Sequence, residues 1–148
     1  MILTHGNFIS SSLMATGDQE HEGETNEVFL CVIPMFHVFG LSVILYAQLQ
    51  IGNTIVSMSK FDLEVMLKAI EKYRVTKLWI VPPIMLALAK HSAVKKYDLS
   101  SLKQIGSGAA PLGKEIMQEC AKKVPQASII QVHHSRATFL VDHLWSCL

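Results

Sequence analysis

Hydrophobic positions along the chain change period in a regular way, and the changes predict elements. Asn7–Met14 fits a helix with Ser10, Ser11 and Ser12 on its polar side. Val28–Ile33 is almost unbroken in apolar character, as expected of a strand in a parallel sheet covered on both faces. Pro34–His37 reads as a turn, Val38–Leu49 as an apolar helix, Gly52-Asn53 as a second turn and Thr54–Met58 as a short strand. Asp62 is placed to cap a helix running to about Tyr73, in which Leu63, Met66, Leu67 and Ile70 fall at i, i+3, i+4 and i+7. Lys77–Val81 predicts a strand stopped by Pro82-Pro83, with a helix continuing over Ile84–His91. After the polar stretch Ser92–Ser101 come a strand at Leu102–Ile105, a small-residue loop from Gly106 to Gly113, a helix over Lys114–Lys123 and a last strand at Ser128–Gln131. Strands alternating with helices predict an α/β fold, a mostly parallel sheet flanked by helices. Residues 132–148 break this rhythm and carry no assignable period.

Composition narrows the reading. Of 148 residues, 50% are hydrophobic and 17% charged, which excludes a disordered chain. A mean hydropathy of +0.32 is high for a chain this short, because a small domain needs polar residues to cover its surface. Missing neighbours, a membrane or an unusually buried sheet would each account for it. Residues 28–59 hold no Asp, Glu, Lys or Arg and are long enough to span a bilayer. Pro34, His37, Gly40, Gln48, Gln50, Gly52 and Asn53 interrupt that run, so a strand, a turn and a helix are expected in place of a membrane span.

The net charge of +1 conceals an asymmetry: residues 1–59 contain five acids and no Lys or Arg, while residues 60–148 hold all 13 bases with seven acids. The acids from Asp18 to Glu27 read as a solvated loop, and the bases lie along helix faces without interleaved aromatics, so nucleic acid is not expected as a partner. Cys31, Cys120 and Cys147 form no paired framework, which favours a reducing compartment. His133, His134 and His143 match no common ligand spacing, and no metal site is expected from them.

Three positions can carry chemistry. His37 follows a predicted strand, and ligands of open α/β sheets lie beyond the carboxyl ends of strands; the same position suits a histidine satisfied by a backbone group. The loop Gly106–Gly113 allows close backbone approach to a ligand, or equally a tight strand-to-helix turn, and is neither GxGxxG nor a phosphate loop ending GK[ST]. Lys60 sits between a strand and a capped helix, a place that also suits a solvated lysine.

The words Pro34-Met-Phe-His-Val-Phe-Gly40, Val81-Pro-Pro-Ile84, Lys96-Tyr-Asp-Leu-Ser-Ser-Leu102 and Gly106-Ser-Gly-Ala-Ala-Pro-Leu-Gly-Lys-Glu115 stand in this order. Together they resemble the adenylate-forming (AMP-binding) superfamily, and within it the plant 4-coumarate:CoA ligase-like proteins. The resemblance runs from Met1 through Gln131. It implies part of the N-terminal domain of an acyl-CoA synthetase-type enzyme over residues 1–131, followed by a divergent tail over 132–148. It also implies an enzyme that activates a small carboxylic acid with ATP and Mg2+ and passes the acyl group to CoA.

Position by position, the resemblance places His37 beside the reacting carboxylate, and Phe39 and Val43 on the acyl pocket. It places Gly108, Ala109, Ala110, Pro111 and Gln131 against the acyl-adenylate, and Lys60 on the phosphates of CoA. Neither Phe39 nor Val43 offers a hydroxyl, which tilts the pocket toward an apolar acid. The family pattern Gln-Gly-Tyr-Gly-(Met or Leu)-Thr-Glu stops after its first residue: Gln131 runs into Val132-His133-His134-Ser135-Arg136. The Thr and Glu that serve ATP and magnesium are therefore missing from their place. The chain is expected to be a truncated segment, inactive on its own, and residues 132–148 to be a gene-model artefact such as intron read-through. A catalytically inactive binding or decoy fragment is the alternative. Location follows the family, cytoplasmic or peroxisomal, although the end Ser146-Cys147-Leu148 lacks the basic middle residue of a peroxisomal tripeptide.

Overall fold

The computed structural model describes residues 4–10, 13, 26–37, 39–108 and 110–131. Five strands form one sheet: β1 (Val28–Cys31), β2 (Thr54–Ser57), β3 (Lys77–Ile80), β4 (Gln104–Ser107) and β5 (Ser128–Gln131). Their order is β2-β1-β3-β4-β5, and every pairing is parallel. Helices are residues 5–10 (α1), a π-helix at Phe39–Tyr46 running into α2 (Ala47–Ile51), then α3 (Leu63–Tyr73), α4 (Pro82–Lys90) and α5 (Lys114–Lys123). The expected α/β alternation is present throughout. The proposed tail, residues 132–148, lies outside the described residues.

Local chemistry explains most of the boundaries. Thr4 caps α1 by exchanging side-chain and backbone hydrogen bonds with Asn7, so the described helix begins before Asn7. Asp62 caps α3: its Oδ1 accepts the Val65 N–H at 2.9 Å, an arrangement worth about 1 kcal/mol. Met66, Leu67 and Ile70 on the stripe behind it are fully buried. Pro82 opens α4, two residues earlier than expected, because the N–H that proline lacks has no intrahelical acceptor in a first turn.

Three further elements depart from expectation. The helix after the His37 turn is π-helical over Phe39–Tyr46, and its apolar residues ring the axis without an amphipathic period. The fourth strand is Gln104–Ser107, not Leu102–Ile105, because Leu102 is drawn into the core by a turn in which its N–H donates to the Leu99 carbonyl. The polar stretch contains a 3-10 helix, Ser92–Lys96, started by His91, whose Nδ1 accepts the Ala93 N–H.

Alternation along the strands sorts the two faces. Leu30, Leu78, Ile80 and Ile105 point into a core shared with Met66, Leu67, Ile70, Met85 and Leu88, all essentially inaccessible. Phe29 and Trp79 stand on the other face with Phe39 of the π-helix. Right-handed crossovers require this division, since the chain moves one way along the sheet from β1 to β2 and the other way from β2 onward. Among the described residues, no helix is long and apolar enough to cross a membrane.

At the amino edge of the sheet, Glu27 is completely buried at the head of β1, and its Oε1 accepts a 2.6 Å hydrogen bond from Lys103 Nζ. Burial alone would raise its pKa; the Lys103 and Thr76 hydrogen bonds and the charges of Lys103 and Lys77 outweigh that and hold it below the ordinary carboxylate range. Glu27→Ala would leave the buried Lys77 less compensated and is expected to cost about 2 kcal/mol near neutral pH. A folded pKa below the unfolded one stabilises above the usual Glu range, about 4.3, and this stabilisation is lost as pH falls through the lowered value. Urea unfolding of the two forms should therefore show their gap narrowing below about pH 4, and a gap independent of pH would count against this account.

Candidate functional site

A parallel sheet ordered 2-1-3-4-5 has its topological switch between β1 and β3, and ligands of such sheets bind beyond the carboxyl ends of the strands there. Every described residue among the sequence candidates leaves that edge. His37, Phe39 and Val43 follow β1, Lys60 follows β2, Gly108, Ala110 and Pro111 follow β4, and Gln131 ends β5. Ala109 lies outside the described residues. Strands two positions apart are separated by about 10 Å, so the segments leaving β1 and β4 stand within reach of one small ligand.

The turn after β1 is closed by the His37 N–H donating to the Pro34 carbonyl at 3.0 Å. Imidazole Nδ1 accepts the Phe39 N–H at 3.2 Å, so the neutral ring carries its proton on Nε2. The backbone contact and the ligand role are thus compatible: one nitrogen orients the ring, and the other is a donor on an exposed side chain.

Phe39 stacks on Trp79, with centroids 6.0 Å apart and planes 18° from parallel, and Trp79 meets Phe29 edge-on at 6.1 Å. The indole Nε1 donates to Gln104 Oε1 at 3.4 Å. Gly106 is the register partner of Trp79, and a Cβ there would stand 3.1 Å from the indole ring, so the glycine opens the space that Trp79 fills. Trp79 therefore seats Phe39 on the sheet. Sequence reasoning missed this support: period-2 alternation separates Trp79 from Leu78 and Ile80, but its partners are set by strand register.

In the loop after β4, the Gly108 N–H donates to the Ile80 carbonyl at 3.1 Å, carrying the β3–β4 ladder one residue past Ser107. Gly108 is buried while Ala110 and Pro111 are exposed. The Ser107 hydroxyl is fully buried and lacks a hydrogen-bond partner among the described residues; its register partner is Gln131, half-buried. Lys60 is exposed, two residues before the Asp62 cap.

Other chemistries fit poorly. Burial raises the thiol pKa of Cys31, and that of Cys120 to about 11, which leaves neither a ready nucleophile. Among the described residues, no group of three His, Cys, Asp or Glu side chains is placed to hold a metal ion. A shallow groove of about 400 Å³ lined by Leu41, Leu45, Tyr46, Leu49 and Gln50 runs along the π-helix and α2 and includes none of the candidate residues.

A family model for AMP-binding enzymes matches residues 1–134. The chain belongs to the AMP-binding enzyme family. Among curated relatives, it is 41% identical over 133 residues to 4-coumarate–CoA ligase 3 of Arabidopsis thaliana and 43% identical over 138 residues to a probable CoA ligase, CCL5, of Humulus lupulus. Each match covers 88% of this chain and 24% of the relative, so the chain spans about a quarter of the length of these AMP-binding proteins. The fold is shared with solved members. A long-chain-fatty-acid–CoA ligase from Archaeoglobus fulgidus superposes with a TM-score of 0.76 at 26% identity, covering 88% of this chain and 27% of that one. A red-emitting luciferase from Phrixothrix hirtus gives 0.71 at 30% identity, covering 86% and 24%.

Proposed function

We propose that this chain is the acid-binding part of the N-terminal domain of an ATP-dependent acid–CoA ligase of the 4-coumarate:CoA ligase-like kind. The observation that carries the reading is that candidate residues from separate sequence words leave the carboxyl edge of one parallel sheet, on both sides of its switch point. The reaction is an adenylyl transfer followed by an acyl transfer: the carboxylate attacks the α-phosphate of ATP and releases pyrophosphate, and the CoA thiol then displaces AMP from the acyl-adenylate.

Each residue has a part suited to its chemistry. The Nε2–H of His37 donates to an oxygen of the reacting carboxylate and acyl group. Phe39, seated on Trp79, and Val43 line an apolar pocket that favours an acid without a phenolic hydroxyl. Gly108, Ala109, Ala110 and Pro111 bring small side chains and backbone against the adenylate, with Gln131 beside them. Lys60 offers a point charge to the phosphates of CoA. The names of the relatives agree with acid–CoA ligation as the parent chemistry.

The test is a chimera in which residues 1–131 replace the matched quarter of the Arabidopsis ligase, assayed for acid-dependent pyrophosphate exchange and thioester formation. Exchange by the chimera supports the reading, and a folded chimera without exchange for any acid overturns it. Within an active chimera, Lys60→Ala should raise the KM for CoA about 10-fold, the loss of about 1.4 kcal/mol of charge-assisted binding, and leave pyrophosphate exchange alone. Equal loss in both half-reactions would remove Lys60 from the CoA site.

A further inference from the structure

A chain of buried amides ties the π-helix to the sheet. Gln48 Nε2 donates to the carbonyl of Val43 at 3.3 Å, and its Oε1 accepts from Asn53 Nδ2 at 2.9 Å. Asn53 Oδ1 in turn accepts the Glu27 N–H at 3.0 Å, at the head of β1, and the Thr54 N–H donates to the Glu27 carbonyl at 2.9 Å, at the head of β2. Glu27 continues the chain to Lys103, just before β4. Gln48 and Asn53 are each only 4% exposed, and Glu27 not at all.

Glutamine is seldom buried, because an amide taken from water costs free energy unless both its ends are satisfied. Here both ends of each amide are used. An apolar side chain on the buried side of α2 would meet the needs of packing without that risk, so the polar choice at position 48 calls for a purpose other than burial. Its target supplies one. Val43 lies four residues after Phe39 in the same π-helix, and anything that shifts this helix moves both side chains together. Buried amides satisfied at both ends select one arrangement among several of similar packing energy.

We propose that Gln48 is a positioning residue: through the Val43 carbonyl, and anchored by Asn53, it sets the placement of the helix that presents Phe39 and Val43, and so tunes which acid the pocket accepts. The proposal rests on the acid-pocket reading of those two residues.

Two measurements test it. Hydrogen exchange on the complete 148-residue chain compares wild type with Gln48→Met, which keeps length without donor or acceptor, and with Asn53→Ala, which removes the anchor and leaves Gln48 in place. Exchange over 39–46 should quicken about 5- to 10-fold in both variants, the shift in local opening expected from one lost buried hydrogen bond, while 63–73 and 82–90 are unchanged. Unchanged exchange over 39–46, uniform loosening of the whole chain, or a wild type without protection there overturns the proposal.

In the active chimera, Gln48→Met should raise the KM for the acid several-fold and leave the KM for ATP within twofold, a split that a merely structural role would not produce. Faster exchange with an unmoved acid KM overturns the link to the pocket while the ligase reading stands. Exchange as expected in a chimera that lacks all activity supports the held helix and counts against the ligase reading.

Discussion

Gly40→Ala is expected to destabilise the chain by about 3 kcal/mol, lowering its melting temperature by roughly 10 °C. A Cβ at Gly40 would lie 2.5 Å from the Pro34 carbonyl oxygen, 3.1 Å from its carbon and 3.2 Å from the Ile33 oxygen. All three are backbone atoms, so no side chain can swing away to make room. Either the π-helix must lift from the chain leaving β1, or the turn that presents His37 must open. Both outcomes uncouple the candidate site from the sheet, and activity of the chimera should fall with stability. Gly113→Ala is the control: nothing lies within 4 Å of the added carbon and φ is −65°, so the change should stay within about 0.5 kcal/mol. Thermal unfolding of the three forms decides it, and equal melting of Gly40→Ala and wild type would show that the close approach does not exist.

His37→Ala in the chimera is expected to lower turnover about 10- to 1,000-fold while leaving the melting temperature unchanged. The first part follows from losing a positioned donor on the reacting group, where single such contacts carry effects of this size. The second follows from exposure: the ring is on the surface, and its one described hydrogen bond is to the neighbouring Phe39 N–H. His37→Gln, which keeps an N–H donor, should recover part of the loss. Steady-state kinetics and unfolding on the same preparations separate chemistry from folding. Turnover equal to wild type would return His37 to the role of a histidine that only closes its own turn.

Legibility followed the range of the interaction. Asp62 capping α3 and the turn at Gly52-Asn53 each depend on groups within a few residues, and both were readable as written, whereas the pattern starts α4 two residues too late although the prolines that open it are local. The α/β class was readable too, because alternating strand and helix periods are local patterns. The place of His37 just after the first strand was readable along the chain; the role proposed for it rests on the resemblance of whole words. Other features required the folded chain. The order β2-β1-β3-β4-β5 depends on which strands meet across crossovers, and no local pattern specifies it. Phe39–Tyr46 has no amphipathic period, so the pattern along the chain does not distinguish a π-helix from an α-helix, and the close approach of Gly40 to the Pro34 carbonyl exists only in the folded chain. Trp79 on Phe39 and Glu27 with Asn53 join residues that are distant in sequence and unremarkable where they stand. The amino-acid order determined the alternation of strands and helices and the residues proposed to do chemistry; the sheet's register and crossovers decided which of them share an edge, since those contacts exist only after distant strands pair.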